Sequence, residues 1–137
     1  MIMPSGSRKR SARRGAAVVE FALIAPLFFT MILGIIEFGR MMMVQQILVN
    51  AAREGARSAV LPGETDAQVT TVVSNYMSGV QISGYSESCS PTLSSNPASG
   101  TALKVTVSVP ASTVSWLSFG TWFQGQTLSA SVTMVKE

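Results

Sequence analysis

AAVVEFALIAPLFFTMILGII, residues 16–36, is an apolar run of 21 residues with a single charge, Glu20. At ~1.5 Å of rise per residue it is as long as the ~30 Å hydrocarbon core of a bilayer, so its composition and length predict a membrane-crossing helix. It exceeds the ~7–15 apolar residues of a cleavable secretory signal, and no small-residue cleavage pattern closes it, so it reads as a retained anchor. Upstream, Arg8, Lys9, Arg10, Arg13 and Arg14 stand before Gly15. Clustered basic residues hold their flank on the cytoplasmic side, which places everything after residue 36 outside the cytoplasm. Glu20 needs its own account, because an isolated carboxylate in apolar surroundings is either neutral or paired. Two readings stand: a functional ionisable group inside the span, or a carboxylate near the helix start that bends toward the headgroups and suits the helix dipole.

The helical pattern does not end with the membrane. Residues 37–60 are rich in Leu, Met, Gln, Ala, Arg and Glu, all good helix formers, and the stop comes at Leu61, Pro62 and Gly63. A helix from about residue 16 to 60 is ~65 Å long, about twice a bilayer, so its outer half emerges into water. Glu37 with Arg40, and Glu54 with Arg57, are three apart and can pair on its surface. Ala52, Gly55, Ala56 and Ala59 recur at three- and four-residue spacing, a strip of small side chains that another backbone can approach closely. Its partner is either the chain's own C-terminal sheet or a second subunit. Pro26, inside the apolar run, removes one intrahelical hydrogen bond and predicts a kink or weak point.

Beyond the stop, Thr65 or Asp66 can cap a second helix, with Val69, Val72, Val73, Tyr76, Met77 and Val80 on one face and an end near Gly79. Residues 81–100, dominated by Ser, Gly, Pro and Asn, read as one or two short strands joined by loops. Leu103, Val105, Val107 and Val109 alternate with polar residues, as do Leu128, Ala130, Val132 and Met134, giving two strands with one apolar face each. Such a pair belongs in an antiparallel sheet covering a helix. Between them, Trp116, Leu117, Phe119, Trp122 and Phe123 crowd an irregular stretch that packs on the core, meets a partner or meets the membrane surface. The expected architecture is therefore α+β. It comprises a basic leader (1–15), a transmembrane helix (16–36), its extracytoplasmic continuation (37–60) and a small head with a second helix and a short antiparallel sheet (61–137).

Composition narrows the function. The formal charge is +3, but removing residues 1–15 leaves five basic against seven acidic residues, a net −2. The basic balance belongs to the leader, and no basic patch with interleaved aromatics persists downstream to bind nucleic acid. Histidine is absent, which removes the commonest general base and metal ligand. Cys89 is alone, either buried and inert or paired between chains. With no base beside Cys89 and no paired carboxylates in the head, neither an enzyme nor a cofactor or metal site is expected.

Gly15 followed at the fifth position by Glu20, then Phe21, resembles the processing signature of type IV pilins. With GIIEFGR at Gly34 to Arg40 and NAAREGAR at Asn50 to Arg57, the resemblance narrows to the TadE-like minor pilins or pseudopilins of the tight-adherence (Flp) pilus. It implies cleavage by a prepilin peptidase between Gly15 and Ala16, with frequent methylation of the new terminus. It also implies pairing of Glu20 with that ammonium in its own or a neighbouring subunit, and a proline-weakened helix that packs into a filament. The implied partners are the prepilin peptidase, other pilin or pseudopilin subunits, the tight-adherence assembly machinery and the lipid bilayer of the bacterial inner membrane. The alternative is an uncleaved single-pass anchor presenting an extracytoplasmic binding module.

Overall fold

The computed structural model describes residues 8–116 and 125–136. Its elements in chain order are α1 (Arg8–Ala59), α2 (Asp66–Gly79), β1 (Ser86–Ser90), β2 (Ala102–Pro110), a short α3 (Ala111–Val114) and β3 (Thr127–Val135), with a 3₁₀ turn at Leu93–Ser95 between β1 and β2. The fold is α+β. Two compact units divide between Phe38 and Gly39, inside α1.

The first unit is helical and starts earlier than residue 16. Lys, Arg and Ala before Gly15 are good helix formers, and one glycine does not break them, so the helix already includes Arg8. It also continues through Pro26. Proline has no N–H to give the carbonyl of Ala22, and one turn on the Thr30 hydroxyl donates to the Pro26 carbonyl at 2.7 Å. Val18, Phe21, Leu23, Leu27 and Phe29 are all more than half exposed. A window of mean hydropathy 2.3 within Gly15–Ala59 is long and apolar enough to cross a membrane, and none of it is buried.

The second unit is the head, with the outer part of α1 as its central post. Its sheet has the order β1-β2-β3, antiparallel throughout. Leu103 faces Met134, Val105 faces Val132, Val107 faces Ala130 and Val109 faces Leu128, so the period-two pattern of both strands lands on one side. Leu103, Val105, Val107 and Val109 are essentially fully buried. They form one core with Val44, Leu48, Ala51, Ala52, Ala56 and Ala59 of α1 and Val69, Val73 and Met77 of α2. Gln45 adds a polar tie, its Nε2 donating to the Ser129 carbonyl of β3 at 2.8 Å. Within residues 81–100 one strand forms, β1, together with the 3₁₀ turn. The stretch after β2 opens with α3, where Val114 is buried. Leu117, Phe119, Trp122 and Phe123 lie outside the described residues.

Candidate functional site

At the start of the apolar stretch, Gly15 is helical and exposed, and no heavy atom lies within 4 Å of where its Cβ would stand. Ala16 and Glu20 are also exposed, one helical turn apart, and Phe21 is 69% exposed. Residues four apart share a helix face, so an ammonium created at position 16 would stand beside the Glu20 carboxylate. Pro26 lies exposed in the same helix.

The small-residue strip lies inside the head. Ala52, Ala56 and Ala59 have no exposed surface. At Gly55 a Cβ would stand 2.8 Å from Val73 Cγ2 and 3.1 Å from Val105 Cγ1. The missing side chain is thus the space into which α2 and β2 pack, and the strip's neighbours are the chain's own second helix and sheet.

Arg40 does not pair with Glu37. Its Nε donates to the Val114 carbonyl, and its guanidinium lies 4.2 Å from the centroid of the Trp116 ring. A planar cation suits both contacts at once: its edge donates to a carbonyl while its face meets the negative face of an indole. Trp116 remains 73% exposed. Glu37 is 4% exposed, and its Oε1 has no hydrogen-bond partner among the described residues. Sequence spacing points Arg40 to Glu37 and carries no sign of a contact with a residue 76 positions away.

A cleft of about 310 Å³ opens between the first turn of α2 and β1, lined by Asp66, Val69, Glu87, Cys89, Thr92 and Val105 among others. Thr65 is the N-cap of α2: its N–H and its hydroxyl donate to Gln68 Oε1 at 2.9 and 2.7 Å. That leaves Asp66 for another task. Its two carboxylate oxygens accept from the backbone N–H groups of Leu93 and Ser94 at 2.9 and 3.2 Å, pinning the 3₁₀ turn against α2. Burial pushes the Cys89 thiol above its ordinary pKa, and the charge of Asp66 adds to the effect. Glu87 Oε2 is buried without a partner among the described residues, and those residues contain no group of three His, Cys, Asp or Glu side chains able to hold a metal ion. At this cleft the two Asp66 hydrogen bonds join α2 to the turn after β1.

The apolar stretch of α1 at residues 16–36 is largely exposed and carries one carboxylate, Glu20. A family model described as TadE-like protein matches residues 15–57. No curated protein and no solved structure matches the chain. The matched stretch runs from Gly15 to Arg57 and takes in Glu20, the apolar helix and most of the small-residue strip. Over residues 15–57, then, the chain is similar to TadE-like proteins.

Proposed function

We propose that this protein is a minor pilin or pseudopilin of a tight-adherence pilus. A prepilin peptidase cuts it after Gly15, residues 16–36 hold it in the bacterial inner membrane, and the head lies outside the cytoplasm while the subunit joins or initiates the fibre. It is a peptidase's substrate and catalyses nothing itself. The observation that carries this reading is the coincidence, within residues 15–57, of the TadE-like match with an 18-residue apolar window of helix that is not buried. So much apolar surface must be covered by lipid or by other subunits. Glu20, a turn from the new terminus, is the group whose charge must be met when that covering changes from one to the other.

One observation favours a second reading. α1 runs unbroken from Arg8 through Gly15, whereas a peptidase needs the backbone at its cut site accessible, so an uncleaved anchor displaying the head as a binding module keeps its claim. Intact mass and N-terminal sequencing of the protein from membranes of its native host separate the two. A chain beginning at Ala16 is expected, and one still carrying Arg8 to Gly15 favours the uncleaved module. The variant Gly15→Asp is expected to retain its leader, because the added side chain obstructs approach to the scissile peptide. Normal processing of that variant would contradict the assignment.

A further inference from the structure

The two edge strands of the head's sheet differ in kind. β1 is five residues long, carries Glu87 and ends against Pro91; shortness, charge and proline are the devices that keep an edge from pairing. β3, nine residues long, has no charge and no proline. The pairing of β2 with β3 fixes which backbone groups of β3 point away from the sheet. Ala111 N–H donates to the Gln126 carbonyl and Lys136 N–H to the Thr101 carbonyl, both in the register of the ladder, so the even-numbered residues of β3 are the ones bonded to β2. In an antiparallel ladder the alternate residues direct N–H and C=O to the opposite side. These are Thr127, Ser129, Ser131, Thr133 and Val135. Gln45 agrees with this phase, since its Nε2 donates to the Ser129 carbonyl. Beyond Ser129, the row of Ser131, Thr133 and Val135 stands at the edge of the sheet, and among the described residues β3 has no strand neighbour but β2.

The apolar layer is unfinished at the same place. Leu103, Val105 and Val107 of β2 are at most 1% exposed, whereas Val132 and Met134 of β3, on the same face, are only partly buried. An extended segment laid along β3 meets the open backbone groups with its own and sets its side chains beside those of β3: apolar ones beside Val132 and Met134, small neutral ones beside Ser131 and Thr133. A second head would carry its own α1 to the same face of the joined sheet, on strands ~4.8 Å apart, whereas packed helices need about 8–10 Å. A lone strand brings no helix.

We propose that the outer edge of β3, from Ser131 to Val135, is a strand-addition site for an extended, uncharged segment of another polypeptide whose side chains alternate between apolar and hydroxyl. The proposal stands on the head alone and is independent of cleavage and of membrane anchoring.

The test uses the full chain in detergent micelles and a short fluorescein-labelled peptide of alternating valine and threonine. Amide hydrogen exchange of the free chain is expected to be fast at Ser131 and Thr133 and slow at Val132 and Met134; the peptide should raise its anisotropy on binding and slow exchange at Ser131 and Thr133. A peptide N-methylated on alternate amides, and the variant Thr133→Pro, which removes an outward N–H but no bond to β2, are each expected to weaken binding roughly tenfold, the effect of one or two lost backbone hydrogen bonds. Should Thr133→Pro fail to fold, Thr133→Lys, which puts a charge on the edge, serves in its place. Slow exchange at Ser131 and Thr133 in the free chain at every concentration means that the chain covers its own edge, and the proposal falls. Protection that grows with protein concentration without peptide makes a second copy the occupant and also overturns it. So does the absence of peptide binding, or binding that leaves those two amides unprotected.

Discussion

Gly55 illustrates what one absent side chain does. Its Cβ position lies 2.8 Å from Val73 Cγ2 and 3.1 Å from Val105 Cγ1, both attached to fully buried residues of a close-packed core. Gly55→Ala gains about 1 kcal/mol of helix propensity but overpacks the junction by ~1–3 kcal/mol, so a net loss of roughly 1 kcal/mol is expected. Gly55→Val should cost about 3 kcal/mol or more, since its two methyls point at backbone-anchored neighbours. Denaturant unfolding of the full chain in detergent micelles, followed through the sheet's circular dichroism, measures both. An alanine variant as stable as the parent would mean that Val73 yields without cost. The small residues beside Gly55 work in the same way: Ala52, Ala56 and Ala59 are small because the head's own elements press on them, which leaves little of that strip for another subunit.

At the scale of elements, the head depends on how α2 is joined to the segment after β1. Thr65 satisfies the helix start through Gln68, and Asp66 reaches across to the N–H groups of Leu93 and Ser94. Hydrogen bonds to a charged acceptor contribute about 1.5–3 kcal/mol each when made; when it is removed the part-buried Leu93 N–H is left stranded, while the exposed Ser94 N–H turns to water. Asp66→Ala is therefore expected to destabilise the head by about 2–3 kcal/mol. Thr65→Ala, which loses only a cap, should cost about 1 kcal/mol. Thermal melts of the two variants in the same detergent test the ranking. If Thr65→Ala proved the more damaging, the tie from Asp66 to the turn would not be what holds these elements together. Loss of this tie would also open the cleft beside Cys89 and relieve the burial that raises its thiol pKa.

For the whole molecule, one compact unit holds an apolar window that is not buried among the described residues, and the other is a head with its own core; under the proposed function the first serves assembly and the second folding. Glu20→Ala is accordingly expected to leave membrane insertion and head stability unchanged while most sheared surface pili are lost. Membrane fractionation beside immunoblotting of sheared fibres reads both, and a variant that piliates normally would remove the pairing role from Glu20. The apolar run at 16–36, the long helix, α2 and the two alternating strands were legible from the sequence alone, because each is specified by local periodicity: length against a bilayer, a 3.6-residue stripe, or alternation of polar and apolar residues. The carboxylate at position 20 was legible for the same reason, as one charge in a run without others. Other features depended on contacts between residues distant in sequence. Arg40 stacks on Trp116 rather than joining Glu37, Asp66 braces a turn rather than capping a helix, and Gly55 faces Val73 and Val105 of its own chain. Local spacing shows which side chains share a face; only the tertiary structure decides what that face meets, because the choice depends on which backbones the collapsed core brings within a few ångströms.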